Sequence, residues 1–229
     1  MSNNAILEVI ACTIEDAIEA ERGGANRLEI ISCFETGGLT PPFDLVRKIK
    51  AKVSLPLRVM LRESEGYEAA NEKEIKRLCA AAREFEEIGV DGIVLGFLKN
   101  SEIDFELTQK ILSCAPHLKA TFHHAFEDTA DKFAAIEELK NLAQIDRILS
   151  HGGQGNWTEK FSRLEDYAQT AQPEIKILAG GGVDVRAIEI LRRKTSITEF
   201  HTGSAARTNG KVDKSKVQEL VRVLRGNYD

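Results

Sequence analysis

Two apolar runs near the start of the chain, LEVIAC and LEIISC, each carry a carboxylate and, four residues on, a thiol: Glu8 with Cys12, then Glu29 with Cys33. Side chains alternate along a strand, so Glu8, Ile10 and Cys12 share one side of the first run, and Glu29, Ile31 and Cys33 share one side of the second. A carboxylate inside such a run is costly to bury unless it is paired or hydrogen-bonded, so both need cationic or donor partners. Other apolar runs supply them at their ends. Arg62 closes LRVMLR, Thr121 and His123 stand two apart in KATFHHAF, and Glu199 and His201 stand two apart in TEFHTGS. Carboxylates among imidazoles and a guanidinium are groups that move protons on a small molecule, whereas a pair of soft thiolates suits Cu(I). The plainer alternatives are that Glu8 and Glu29 tie strands to Arg62 as structural ion pairs, and that His123 and His201 are satisfied core residues.

Glycines carry a second signal. ILAGGGVD and FHTGSAAR place Gly181, Gly182, Gly203 and Ser204 directly after apolar runs. Backbone amides in such turns make an anion or phosphate site, or the glycines serve only a tight turn. No Walker, Rossmann, GxSxG or HExxH pattern is present, so no organic cofactor is expected.

The elements that must position these residues follow from periodicity. Val-, Ile- and Leu-rich runs start near Ile6, Arg27, Leu57, Asp91, Lys119, Arg147, Lys176 and Thr198. Between them lie helix-spaced stripes, clearest in Val217, Leu220, Val221 and Leu224 behind Asp213 as N-cap, and in Ile75, Leu78, Cys79, Ala82 and Phe85 within 71–88. The stretch from Thr13 to Gly23-Gly24 and the segments 43–52, 104–115, 130–142, 158–170 and 184–194 complete the set. Wholly apolar strands joined by helices are parallel and covered on both faces. Eight such units predict a (β/α)8 TIM barrel forming a single domain over 1–229. An open doubly wound sheet is the alternative, but VIACTIED lacks its Gly-rich first turn. In a barrel, Glu8 and Glu29 are expected at matching depth, converging with Cys12, Cys33, Arg62, His123 and His201 at the catalytic end, with the irregular segment 63–71 as a lid. Met60, Cys79 and Cys114 are read as packing residues and Trp157 as a loop cover.

The 229 residues carry a net charge of -5, which gives no basic footprint for nucleic acid or an anionic membrane surface. No apolar run approaches the roughly 18–20 residues of a bilayer span, and nothing at Met1–Leu7 resembles a signal region, so a cytoplasmic location is expected. Four cysteines without CxxC or CxxH pairing argue for reduced thiols.

The order AERGGANRLE, GGLTPP, VDGIVLGFL, TFHHAF, RILSHGGQ, ILAGGGV and TEFHTGSA resembles the CutC family of copper homeostasis proteins, from Leu7 to about Ala205. The resemblance implies a cytosolic (β/α)8 barrel that is homo-oligomeric, dimer or tetramer, and associated with copper; its strand-end polar residues correspond to Glu8, Glu29, Arg62, His123 and His201. The family's usual cysteines, two residues after each strand glutamate, are Ile10 and Ile31 here, while Cys12 and Cys33 stand two residues further on. FHHAFE puts His124 where the family has arginine and Glu127 where it has aspartate, and His151 joins the same end. Two functions therefore stand at this point. One is copper homeostasis with a Cu(I) ion on Cys12 and Cys33; the other is an isomerase- or lyase-type enzyme acting on a phosphorylated or polyol substrate.

Overall fold

A computed structural model describes residues 5–69 and 71–226. Eight parallel strands close on themselves: β1 (Ile6–Ala11), β2 (Arg27–Ile30), β3 (Leu57–Met60), β4 (Gly92–Leu95), β5 (Lys119–Phe122), β6 (Ile145–Ser150), β7 (Lys176–Ala179) and β8 (Glu199–Thr202). Each neighbours the next in chain order, and β8 closes on β1. Eight helices alternate with them: α1 (Ile14–Gly23), α2 (Phe43–Lys50), α3 (Glu72–Ile88), α4 (Phe105–Ser113), α5 (Lys132–Leu139), α6 (Trp157–Ala171), α7 (Val185–Lys194) and α8 (Lys214–Leu224). Two short hairpins, 98–103 and 207–212, decorate the loops after β4 and β8. This is the expected (β/α)8 barrel. The sequence boundaries hold to within three residues, the sixth strand beginning at Ile145 rather than Arg147.

Helix ends show why the chain breaks where it does. The Thr13 hydroxyl accepts from the Asp16 amide at 3.0 Å to start α1, and Gly24, at φ 91°, ends it by donating to the carbonyls of Ala20 and Glu21. Asn71 caps α3, and Asp213 caps α8.

The apolar core is an annulus between strands and helices. Leu7, Val9, Leu28, Ile30, Val59, Ile93, Phe122, Ile148 and Phe200 point outward from the barrel into it and are wholly buried. The barrel lumen is different. It holds a small separate cluster of Ile31, Met60 and Val94, and below that charged side chains where bulky aliphatics usually fill a barrel of this type. Gly92 makes room for one of them. A Cβ there would lie 2.6 Å from Nη1 of Arg58 and would also collide with the Lys119 carbonyl oxygen.

Candidate functional site

Strand stagger sets the depth of each polar group. Closing a barrel shears neighbouring strands, and here Glu8 pairs in register with Arg27 while Glu29 pairs with Ile10. The expectation that Glu8 and Glu29 lie at matching depth is therefore corrected: Glu29 stands one inward-facing layer nearer the mouth. Arg62 is not the partner of either. Its guanidinium reaches the carbonyls of Gly38, at 3.5 Å, and Glu65, and packs over the Tyr67 ring at 5.2 Å.

The partner is Arg27, which donates through Nε to Glu8 and through Nη2 to Glu199 at 2.8 Å. From there an ion chain crosses the lumen. Glu199 also accepts from Nε of Arg147 at 2.6 Å; Arg147 pairs with Asp146; and Asp146 takes a two-pronged contact from Arg58 at 2.8 and 3.0 Å. In the other direction Glu8 meets Nδ1 of His201 at 2.8 Å, and Nε2 of His201 lies 3.7 Å from Glu29. The ion chain thus ends at Glu29, which is 3% exposed and whose Oε1 has no hydrogen-bond partner among the described residues.

Burial and charge set the protonation of these groups. Burial would push the Glu8 carboxyl up, but Arg27 and His201 together outweigh it and hold the group well below the usual carboxylate range. Burial pushes Glu29 up to about 7, with His201 pulling down and Glu8 adding to the rise. For His201, burial works against the charged form, yet Glu29 and Glu8 win and its pKa is raised. The two shifts share a cause: each group's charge acts on the other across 3.7 Å. His123, held down to about 3 by burial and then by Arg62, stays neutral, and so does His124, also near 3, through burial and the neighbouring imidazoles.

Glu29, Arg62, His123 and His201 all line one cavity of about 480 Å³ at the C-terminal mouth of the barrel, with Tyr67, His124 and the apolar side chains of Ile10, Ile31, Met60 and Leu149. Glu8 lies beneath it. Gly181, Gly182, Gly203 and Ser204 line the same cavity. Gly181 and Gly182 have φ of 69° and 94°, a left-handed pair that only glycine adopts easily, and a Cβ on Gly182 would meet nothing within 4 Å. The start of α7 is already served by a carboxylate, since Asp184 accepts from the Ala187 amide at 2.8 Å. The segment expected as a lid is a run of bends over 63–68, of which Tyr67 reaches the cavity; residue 70 lies outside the described residues.

The thiols do not converge with the carboxylates, which corrects that expectation. Cys12 and Cys33 line a second cavity outside the mouth, with Asp16, Phe34, Arg207 and Lys211. The chain leaves strand geometry before Cys33, which has φ 52° and is exposed, while Cys12 is half-buried with Sγ 3.8 Å from Nη2 of Arg207. Burial raises the Cys12 thiol pKa despite Arg207. For copper, the fit is divided. No thiol lines the mouth cavity, where Met60 is the only sulfur among the described residues, and no cluster of three or more His, Cys, Asp or Glu suited to a metal occurs among them. The second cavity offers two thiols.

Sequence reading missed Arg27, Arg58, Asp146 and Arg147. A signal existed: Arg27 lies two residues before Glu29 and Arg58 two before Met60, so both share the inward parity.

Fold and site define a (β/α)8 barrel whose mouth holds a buried carboxylate–histidine pair above a charged lumen. The CutC family profile matches residues 5–206. A copper homeostasis protein cutC homolog from Homo sapiens is 32% identical over 201 residues, covering 87% of this chain and 73% of the relative. A family protein CutC from Histophilus somni is 33% identical over 196 residues, covering 85% and 80%. The chain belongs to the CutC family. Among solved structures, a CutC from Streptococcus agalactiae has a TM-score of 0.78 at 24% identity, covering 87% of this chain and 98% of that one. A phosphoribosyl anthranilate isomerase from Thermotoga maritima, at TM-score 0.64 and 12% identity over 97% of this chain and 99% of that one, shares the fold alone. No helix among the described residues is long and apolar enough to cross a membrane.

Proposed function

We propose that this CutC-family protein serves copper homeostasis, the role in the name of its human relative, through a small-molecule site at the barrel mouth that binds a polar or anionic ligand and moves a proton on it. The observation that carries this reading is Glu29: a buried carboxyl with one unpaired oxygen, lining a cavity, with a pKa pushed up to about 7. In this reading Glu29 is the general base, and His201 shares its proton while Glu8 and Arg27 hold the imidazole in place. Arg62 orients a negative group at the rim, helped by amides around Gly181, Gly182, Gly203 and Ser204. The protein is taken as cytoplasmic and homo-oligomeric on the family resemblance, without nucleic-acid or membrane partners.

The test is ligand-observed NMR of the full chain with pooled phosphorylated and carboxylated metabolites. The reading expects at least one ligand whose affinity changes about tenfold between pH 6 and pH 8, a dependence absent in Glu29→Gln. No retained ligand, or one indifferent to both pH and the substitution, overturns it.

A second reading is favoured by the shared cavity of Cys12 and Cys33: Cu(I) held by two soft thiolates. Anaerobic Cu(I) titration against a competing chelator decides it. Stoichiometric binding lost in the Cys12→Ser, Cys33→Ser double variant supports the thiol site, and no competition by the unaltered protein removes it.

A further inference from the structure

The tautomer of His123 narrows the chemistry of the mouth. The Ala125 amide donates to Nδ1 of His123 at 3.1 Å, so Nδ1 carries the lone pair. A neutral imidazole with its lone pair on Nδ1 has its proton on Nε2. That Nε2 is buried, belongs to a residue lining the mouth cavity, and has no hydrogen-bond partner among the described residues. The ring is fixed on its other sides: Gly96 leaves it room, a Cβ there falling 2.6 Å from Nδ1, and Tyr67 packs at 5.3 Å between ring centroids. Among the described residues lining this cavity, Nε2–H of His123 is left as an unsatisfied donor and Oε1 of Glu29 as an unsatisfied acceptor, alongside Nε of Arg62 and Nδ1 of His124, and Ile10, Ile31, Met60 and Leu149 form apolar walls. Leaving two buried polar atoms unpaired is costly unless a ligand satisfies both.

Resting on the reading of the mouth as a proton-transfer site, we propose that its substrate is an enolisable carbonyl compound, in simplest form an α-hydroxy aldehyde or ketone. Its carbonyl oxygen accepts from Nε2–H of His123, and Glu29 removes the proton from the adjacent carbon. The electron pair of the broken C–H bond forms the C=C bond, and the carbonyl π pair moves onto the oxygen held by His123. Return of the proton from Glu29 to the former carbonyl carbon, as the neighbouring hydroxyl passes its proton to the oxygen held by His123 and itself becomes the carbonyl, completes a shift of hydrogen between adjacent carbons and leaves Glu29 ionised as it began. No oxidant, reductant or organic cofactor enters the balance. A carboxylate base opposed by a neutral imidazole suits this step, because the imidazole polarises the oxygen without surrendering a full proton. The volume of about 480 Å³ accommodates a molecule up to the size of a sugar phosphate.

The test uses the full chain labelled with 15N-histidine and acetohydroxamate, a planar mimic of the enediolate. Long-range 1H–15N spectra are expected to give His123 as the neutral Nε2–H form from pH 5 to pH 9. Acetohydroxamate is expected to shift that Nε2–H resonance downfield, and its affinity is expected to fall at least tenfold in His123→Ala. A His123 that carries its proton on Nδ1, that titrates near the ordinary histidine value, or that ignores acetohydroxamate overturns the proposal. Metabolite binding that depends on Glu29 while His123 stays silent removes the carbonyl substrate and leaves proton transfer by Glu29 standing.

Discussion

Replacing Glu29 by glutamine should stabilise this protein at alkaline pH. The carboxyl is 3% exposed, so solvent screening takes little from its electrostatics, and burial moves its pKa from an ordinary 4.5 to about 7. An acid whose pKa is raised in the fold holds its proton there after the unfolded chain has released it. The stability of that protonated form is fully present below 4.5 and is lost as pH rises through 7. At about 1.4 kcal/mol per tenfold ratio, the ionised form weighs on the fold by about 3 kcal/mol at pH 8 and by less than about 1 kcal/mol at pH 5. Glutamine keeps the shape and has no proton to lose, and His201 retains Glu8 at 2.8 Å in either protein. Urea unfolding followed by far-UV circular dichroism should give a Glu29→Gln variant more stable by about 3 kcal/mol at pH 8, the gap shrinking below about 1 kcal/mol at pH 5. An equal gap at both pH values, or a variant weaker at pH 8, refutes the assignment of Glu29 as the strained, titrating group. It would then be a structural partner of His201.

The opposite sign is expected deeper in the lumen. Arg27→Met leaves Glu8 and Glu199, each 1% exposed, short of a cation, and should cost about 3–5 kcal/mol in the same urea assay, with part of the loss recovered by adding Glu8→Gln. Thiol labelling of the native protein with a disulfide reagent at pH 8 should modify exposed Cys33 first and Cys12 markedly more slowly, because burial raises the Cys12 pKa; equal rates would mean that the second cavity is open to both thiols.

The fold is legible in the sequence because its signals are local. Thr13, Asn71 and Asp213 each cap a helix, and apolar runs recur at barrel intervals, so eight strands and eight helices can be read directly. Parity along a strand is equally legible, and it brings Glu29, His123, His201 and Arg62 to one cavity. Stagger between strands is not, because it depends on how the sheet closes; parity alone matches Glu8 with Glu29, whereas its neighbour across the strands is Arg27. Arg27 and Arg58 read as ordinary charges in strand starts, although each occupies an inward position. The thiols mislead for a different reason. Parity ends with the strand, and the left-handed backbone at Cys33 takes it out of the pattern that Glu29 and Ile31 follow.

The ion chain through the lumen also bears on how such a barrel changes over generations. Arg58, Asp146, Arg147, Glu199, Arg27, Glu8, His201 and Glu29 are spread over β1, β2, β3, β6 and β8, so exchanging an inner member such as Arg27, Glu8 or Glu199 alone strands a neighbour's charge, and Glu29, at the end of the chain, is the exception. Change among these inner charges is expected to proceed by compensating pairs, whereas Ser204 at the mouth is exposed and stands outside the ion chain. Glu29 therefore rests on a foundation that reaches Arg58 on β3 and Asp146 on β6, whereas Arg62 and Ser204 in the pocket above it stand outside that chain.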